Sequence, residues 1–149
     1  MLKVGDTAPD FALADQHGET VRLSELLRES AVIVYFYPAD FSPVCTAQAC
    51  GLRDSFAGLE QVSVKIVGIS PQSVKSHDQF ATRYDLPFPL LADTSKAVIR
   101  QYGVDAMFGF GVRRATFLVG TDGVVHKRVV ADFGTASHIE LLEETAREA

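Results

Sequence analysis

The sequence predicts one α/β domain, a central sheet with helices packed on both faces, and three observations carry that prediction. The runs 31–37 (AVIVYFY) and 62–70 (VSVKIVGIS) are mostly apolar and rich in β-branched residues, as in strands buried on both faces. Segments with helical periodicity lie between runs of this kind, and strands alternating with helices build layered α/β folds. A chain of 149 residues with 47% apolar content is enough for one core of ordinary size. The expected organisation is a single domain over residues 1–149.

Taken in order, the first central strand runs from Ala31 to Tyr37, and Pro38 ends it. Ser42-Pro43 opens a helix, because proline is tolerated in a first turn. Cys45, Ala49, Leu52 and Phe56 then fall at i, i+4, i+7 and i+11, one stripe along that helix. Val62 to Ser70 is the second strand. Ser73 to Tyr84 follows as a helix whose apolar face is Val74, Phe80, Ala81 and Tyr84. TFLVG and VVHKRVV flank the turn Thr121–Gly123 and predict a hairpin. Ser137 to Glu140 has the spacing of a capping box, S-x-x-E, and predicts the start of a last helix through Ile139 and Leu142.

Charge and composition exclude several functions. A net charge of −5 and a pI near 5.3 argue against a basic nucleic-acid face or a polybasic membrane patch. The first residues, MLKVGDTAPDF, lack an apolar leader, and no apolar run approaches the ~18 residues of a membrane span. The expected location is the cytoplasm, where disulfides are usually transient and catalytic or redox-sensing. That directs attention to the two cysteines, which both lie in FYPADFSPVCTAQAC, residues 36–50.

Cys45 falls in the first turn of its helix, where unpaired N–H groups and the positive end of the macrodipole favour a thiolate. The thiolate is the nucleophilic form. Cys50 is turned about 140° away and raised about 7.5 Å, towards Arg53 and Asp54. Helix geometry separates the two Cα atoms by roughly 9 Å, beyond the ~7 Å that a disulfide spans without backbone movement. A bond between them requires the helix to unwind in part, which suits a catalytic cycle better than a static cross-link.

Other constellations are weaker. His17, His77, His126 and His138 are scattered without metal-ligand spacing. His77, beside the apolar face of its helix, reads as a satisfied histidine at the core edge. GFG at 109–111 is not a dinucleotide fingerprint. It reads as a loop carrying Phe108 and Phe110 towards Arg114, or equally as rings packed in the core. No metal or other cofactor is expected.

At residues 38–45, P-A-D-F-S-P-V-C resembles the peroxiredoxin active-site pattern P-x-x-x-[T/S]-x-x-C. The wider segment, with a second cysteine five residues on, is similar to the bacterioferritin comigratory protein, or Q-type, subfamily. The likeness extends from GDTAPDFAL (5–13) to the last helix. It implies a thioredoxin-like fold, with a central mixed sheet flanked by helices and an N-terminal extension. It also implies a cycle in which the first cysteine attacks a hydroperoxide, the second resolves the sulfenic acid as a disulfide, and thioredoxin or a similar dithiol reduces the disulfide.

Carried over by position, Cys45 is the peroxidatic cysteine and Cys50 the resolving one. Pro38 shields the thiolate from water, and Ser42 offers its hydroxyl to the peroxide where the family more often has threonine. R-A-T-F at 114–117 is similar to the family's R-x-[ST]-F element, which makes Arg114 rather than Arg113 the neighbour of the thiolate. Val44 and Gln48 stand where the subfamily usually has glycine and glutamate. The chain is expected to act as a monomer or a weak dimer, without nucleic-acid or membrane partners. Two other classes use the same thiols. A thiol–disulfide oxidoreductase would normally show C-x-x-C, and a redox-sensing binding module would oxidise once without turning over.

Overall fold

The computed structural model describes residues 1–106 and 111–148. The loop expected to carry Phe108 and Phe110 therefore lies outside the described residues. Valines, isoleucine and aromatics at 32–36 form β3 (Val32–Phe36), the middle strand of a five-stranded sheet, with all five residues buried. Across the sheet the strands run in the order 90–92, 65–70, 32–36, 115–119 and 125–130. β4 (Lys65–Ser70) and β5 (Leu90–Ala92) extend it in parallel on one side of β3. β6 (Ala115–Val119) and β7 (Val125–Val130) extend it antiparallel on the other. The hairpin signal at 121–123 was legible because Gly123 sits at φ 78°, a left-handed turn position.

Pleating sends alternate β3 residues to opposite faces, so two cores form. Val32, Val34 and Phe36 join Val67, Phe117 and Tyr102 beneath α1 (Leu23–Leu27) and α4 (Ala97–Gln101). Ile33, Tyr35 and Tyr37 join Leu52, Phe80, Leu90 and Leu142 beneath α2 (Pro43–Gln61), α3 (Val74–Tyr84) and α5 (Ala136–Glu148). Helices thus cover both faces, as the alternation of patterns predicts. A small antiparallel hairpin, β1 (Ala12–Ala14) with β2 (Thr20–Arg22), precedes this sheet as the N-terminal extension. Its turn is held by Asp15, whose carboxylate accepts the His17 and Glu19 amides at 2.9 and 3.0 Å.

Two boundaries and one burial differ from the sequence expectation. The second central strand begins at Lys65 rather than Val62, because α2 runs to Gln61 and Ser63 then turns left-handed at φ 59°. The last helix starts at Ala136, with the Ile139 amide bonded to the Thr135 carbonyl at 3.1 Å, so Ser137 stands inside the first turn instead of capping it. His77 is fully buried rather than at the core edge. α3 begins as expected, with the Ser73 hydroxyl accepting the Ser76 amide at 3.1 Å. α5 packs tightly on α2, where the Ile139 side chain occupies the space that a Cβ on Gly51 would need. Gly51 is therefore a packing requirement in mid-helix, accepted at a cost of about 1 kcal/mol in helix propensity.

Candidate active site

The carboxyl end of β3 leads through Pro38 and a tight loop into α2. Ser42 is the N-cap residue, extended at φ −67° and ψ 148°, and Pro43 takes the first helical position. Pro43 has no N–H, and the Thr46 amide bonds the Ser42 carbonyl at 2.8 Å. The first-turn amides without an intrahelical carbonyl are then those of Val44 and Cys45. Cys45 is 1% exposed and sits over the sheet among Ala49, Leu52 and Tyr37. The buried side of α2 is Cys45, Gln48, Ala49, Leu52 and Leu59, while Phe56 is only partly buried.

Arg114, just before β6, approaches Cys45 from the neighbouring strand. It is 3% exposed, and its guanidinium is fixed at all its nitrogens. Nη2 donates to Cys45 Sγ at 3.2 Å, Nη1 to Gln48 Oε1 at 2.6 Å, and Nε to the Asp132 carbonyl at 3.2 Å. Because arginine has donors only, the Gln48 amide must present its oxygen to the fork. Gln48 Nε2 is left buried with no partner among the described residues. Three hydrogen bonds thus hold a permanently charged planar fork against the buried sulfur.

Arg113 points elsewhere. It pairs with Asp132, Nη2 to Oδ2 at 2.9 Å, on the partly exposed side. Asp132 also accepts the Arg114 backbone amide at 3.1 Å, and its carboxyl is held below the usual carboxylate range, first by the Arg113 hydrogen bond. Asp132 thus seats both arginines, a role with no signal in the sequence, since it lies between β7 and α5.

The remaining expected residues lie around this pair. The Ser42 hydroxyl donates to the Ala39 carbonyl at 3.2 Å, and Pro38 is half-buried at the end of the strand. Cys50 is a free thiol, half-buried on the same unbroken helix as Cys45. Arg53, beyond it, pairs with Asp54 at 3.1 Å and donates to the Tyr84 carbonyl at 2.7 Å, tying α2 to the end of α3.

Two polar clusters were missed. The Thr116 hydroxyl meets His138 Nδ1 at 2.7 Å, and Nε2 meets the Ala131 carbonyl at 3.0 Å. Burial, and Arg114 to a smaller extent, push the His138 imidazole below its ordinary value. The second cluster surrounds Asp40, inside the quoted motif, and His77. Tyr35, on the same face, has a buried hydroxyl with no partner among the described residues, and burial pushes it well above the usual tyrosine range.

A buried free thiol at a helix start, next to a fixed cation and over a mixed five-stranded sheet, is an arrangement suited to thiol-redox chemistry. The comparisons identify which kind. The AhpC/TSA family profile matches residues 4–128. The chain is 43% identical over 130 residues to the putative peroxiredoxin bcp of Coxiella burnetii, covering 83% of this chain and 85% of that protein. It is 40% identical over 147 residues to peroxiredoxin Bcp of Escherichia coli K12, covering 95% and 93%. Among solved structures, peroxidoxin BcpB of Mycobacterium tuberculosis superposes with a TM-score of 0.92 at 36% identity, over 99% of this chain and 98% of that one. The Xanthomonas campestris bacterioferritin comigratory protein, solved in trapped intermediate and ligand complexes bearing on its alkyl peroxide reduction activity, superposes at 0.86 and 27% identity over 99% and 97%. The chain therefore belongs to the AhpC/TSA family and is a peroxiredoxin, a thiol-dependent peroxidase, with the thioredoxin-like fold of that family.

Proposed function

We propose that Cys45 is the peroxidatic thiolate of this enzyme and Cys50 its resolving thiol. The observation that carries this reading is the 3.2 Å contact from Arg114 Nη2 to a Cys45 sulfur that is itself buried in the first turn of α2. The Cys45 thiolate attacks the nearer peroxide oxygen, the O–O bond breaks, and the departing alkoxide takes a proton to leave as alcohol or water. Donors aimed at that growing negative charge supply the largest catalytic effect. They are the Arg114 guanidinium and the Val44 and Cys45 amides, while the Ser42 hydroxyl, its proton held on the Ala39 carbonyl, offers its oxygen to the peroxide O–H. Pro38 keeps bulk water from the sulfur.

The Cys45 sulfenic acid then loses its oxygen as water when the Cys50 thiolate attacks it, closing the disulfide. Both residues lie in one continuous helix, whose geometry keeps the Cα atoms at about 9 Å against a ~7 Å disulfide limit. The first turns of α2 must therefore open. Each backbone hydrogen bond given up is worth only ~1 kcal/mol net, within the range of ordinary local opening. The opened segment presents the disulfide to a dithiol, which is oxidised as both cysteines are reduced.

The substrates are hydrogen peroxide and organic hydroperoxides, a breadth supported by the alkyl peroxide reduction of the Xanthomonas relative. The reductant is thioredoxin or a similar dithiol. The enzyme works in the cytoplasm as a monomer or a weak dimer. The test is Cys45→Ser, which retains the fold and loses peroxide turnover. Appreciable turnover in that variant would remove Cys45 from the mechanism.

A further inference from the structure

We propose that a buried network centred on Asp40 and His77 positions the Ser42 hydroxyl for the peroxide step. This rests on the assignment of Cys45 and Ser42 to the peroxide site. The side chains of Asp40 and His77 are completely buried, with His77 Nδ1 2.7 Å from Asp40 Oδ2. The same carboxylate accepts the Tyr37 hydroxyl at 2.6 Å and the Ser76 hydroxyl at 2.7 Å. His77 Nε2 faces the Leu91 carbonyl at 3.1 Å and the Ser70 hydroxyl at 3.4 Å. Tyr37 follows β3 directly, Ser70 ends β4, Leu91 lies in β5, and Ser76 and His77 lie in the first turn of α3. One carboxylate on the active-site loop is thus tied to the sheet edge and to a helix.

Stability alone does not account for such a group. Desolvating a carboxylate and an imidazole is costly, and well-packed apolar replacements are often neutral or better. What the network provides is a fixed position for the loop. The link to chemistry is a single peptide plane, between Ala39 and Asp40. Its N–H donates to Gln72 Oε1 at 2.7 Å, and its C=O accepts the Ser42 hydroxyl at 3.2 Å. Gln72 in turn receives the Ser76 hydroxyl at 3.3 Å and has its own amide on Ser70 Oγ at 3.2 Å. Clamping Asp40 therefore orients the carbonyl that selects the Ser42 rotamer.

The neighbouring residue shows that this loop is held against its own preference. Phe41 adopts φ 66°, a left-handed conformation unfavourable for a bulky side chain, with its ring on Phe80 and Tyr84 of α3 at 5.1 and 6.3 Å. Serine also has a freer χ1 than threonine, which lacks that freedom because it is branched at Cβ. In this chain Asp40, His77 and Gln72 are positioning residues that impose on Ser42 an orientation a β-branched side chain would impose on itself.

That statement makes rescue the test. Reduced wild type, Asp40→Asn and Gln72→Leu, each with Ser42 or with Ser42→Thr, are mixed with hydrogen peroxide, quenched, alkylated and assayed by mass spectrometry for Cys45 oxidation. Loss of the clamp should slow Cys45 oxidation about tenfold relative to the same enzyme with the clamp intact, and Ser42→Thr should recover most of that loss. Oxidation at the wild-type rate in both clamp variants would overturn the inference. So would a slowing that Ser42→Thr leaves unrepaired, since that marks a purely structural effect. Gln72 is only half-buried, so its variant decides the matter if Asp40→Asn does not fold. Absence of Cys45 oxidation in the wild type would instead refute the assignment of Cys45.

Discussion

Replacing Arg114 with alanine removes the only side chain seen to donate to the Cys45 sulfur among the described residues. It also strips the donor from Gln48 Oε1 and from the Asp132 carbonyl. Gln48 is fully buried and already has an unpaired Nε2, so the variant leaves a whole amide unsatisfied. That omission costs about 1–3 kcal/mol of stability, before any cavity left by the arginine stem. Loss of one preorganised donor at a developing charge costs about 2.7–4 kcal/mol of barrier, or 10²–10³ in rate. The expected outcome is a second-order rate for Cys45 oxidation lowered by roughly 10²–10³, read by quenched single turnover with mass spectrometry. Arg114→Lys retains a charge but cannot reach Cys45 and Gln48 together, and should fall between. Oxidation within about threefold of wild type in Arg114→Ala would refute the role given to this residue, because a tenfold change corresponds to only ~1.4 kcal/mol.

Further outcomes follow from the same geometry. Cys50→Ser should react once with peroxide, hold the sulfenic acid and pass to sulfinic acid under excess peroxide, as seen by mass; sustained thioredoxin-dependent turnover near the wild-type rate would show that another thiol resolves Cys45. His138 has an imidazole lowered on folding, so the folded protein binds fewer protons and the contribution of this group to stability, present above the unfolded value near 6.5, is lost as pH falls through it towards the folded one. Denaturant melts from pH 7 to 5 should therefore lose stability more steeply in wild type than in His138→Asn, at up to about 1.4 kcal/mol per pH unit from this group, and parallel curves would contradict it. Tyr35→Phe deletes a buried hydroxyl without a partner and should be neutral or stabilising by about 1 kcal/mol in the same melts, whereas a loss above about 1 kcal/mol would show that the hydroxyl is bonded.

The central strand and the hairpin were readable because each element's own residues determine it. β3 is apolar on both faces, and the 121–123 turn contains its glycine. The short elements were not readable. β5 has three residues and α4 five, too few for a period to show, and tertiary pairing decides them. The strand expected from Val62 failed because an apolar residue at a helix end looks the same as one in a strand. At the site, the helix start around Cys45 was visible from Ser42, Pro43 and the stripe that follows. The separation of Arg114 from Arg113 came only through the motif, since two adjacent arginines look alike until the loop holding Asp132 closes over them. In the sequence Gln48 reads as a departure from the subfamily, and only the fold shows it fixing the guanidinium. Asp40 and His77 are 37 residues apart and satisfy each other, a pairing that no local pattern announces.

The most direct measurement is the mass and peptide map of reduced protein after one equivalent of peroxide, with thiols blocked at quench. The proteolytic peptide spanning Cys45 and Cys50 should first carry one added oxygen on Cys45, then lose it and both thiol hydrogens as the intramolecular disulfide closes. The protein should stay a single chain on a non-reducing gel. A stable oxygen adduct in the wild type, a disulfide between two chains, or oxidation that begins at Cys50 would each contradict the assignment of Cys45 as nucleophile and Cys50 as its partner.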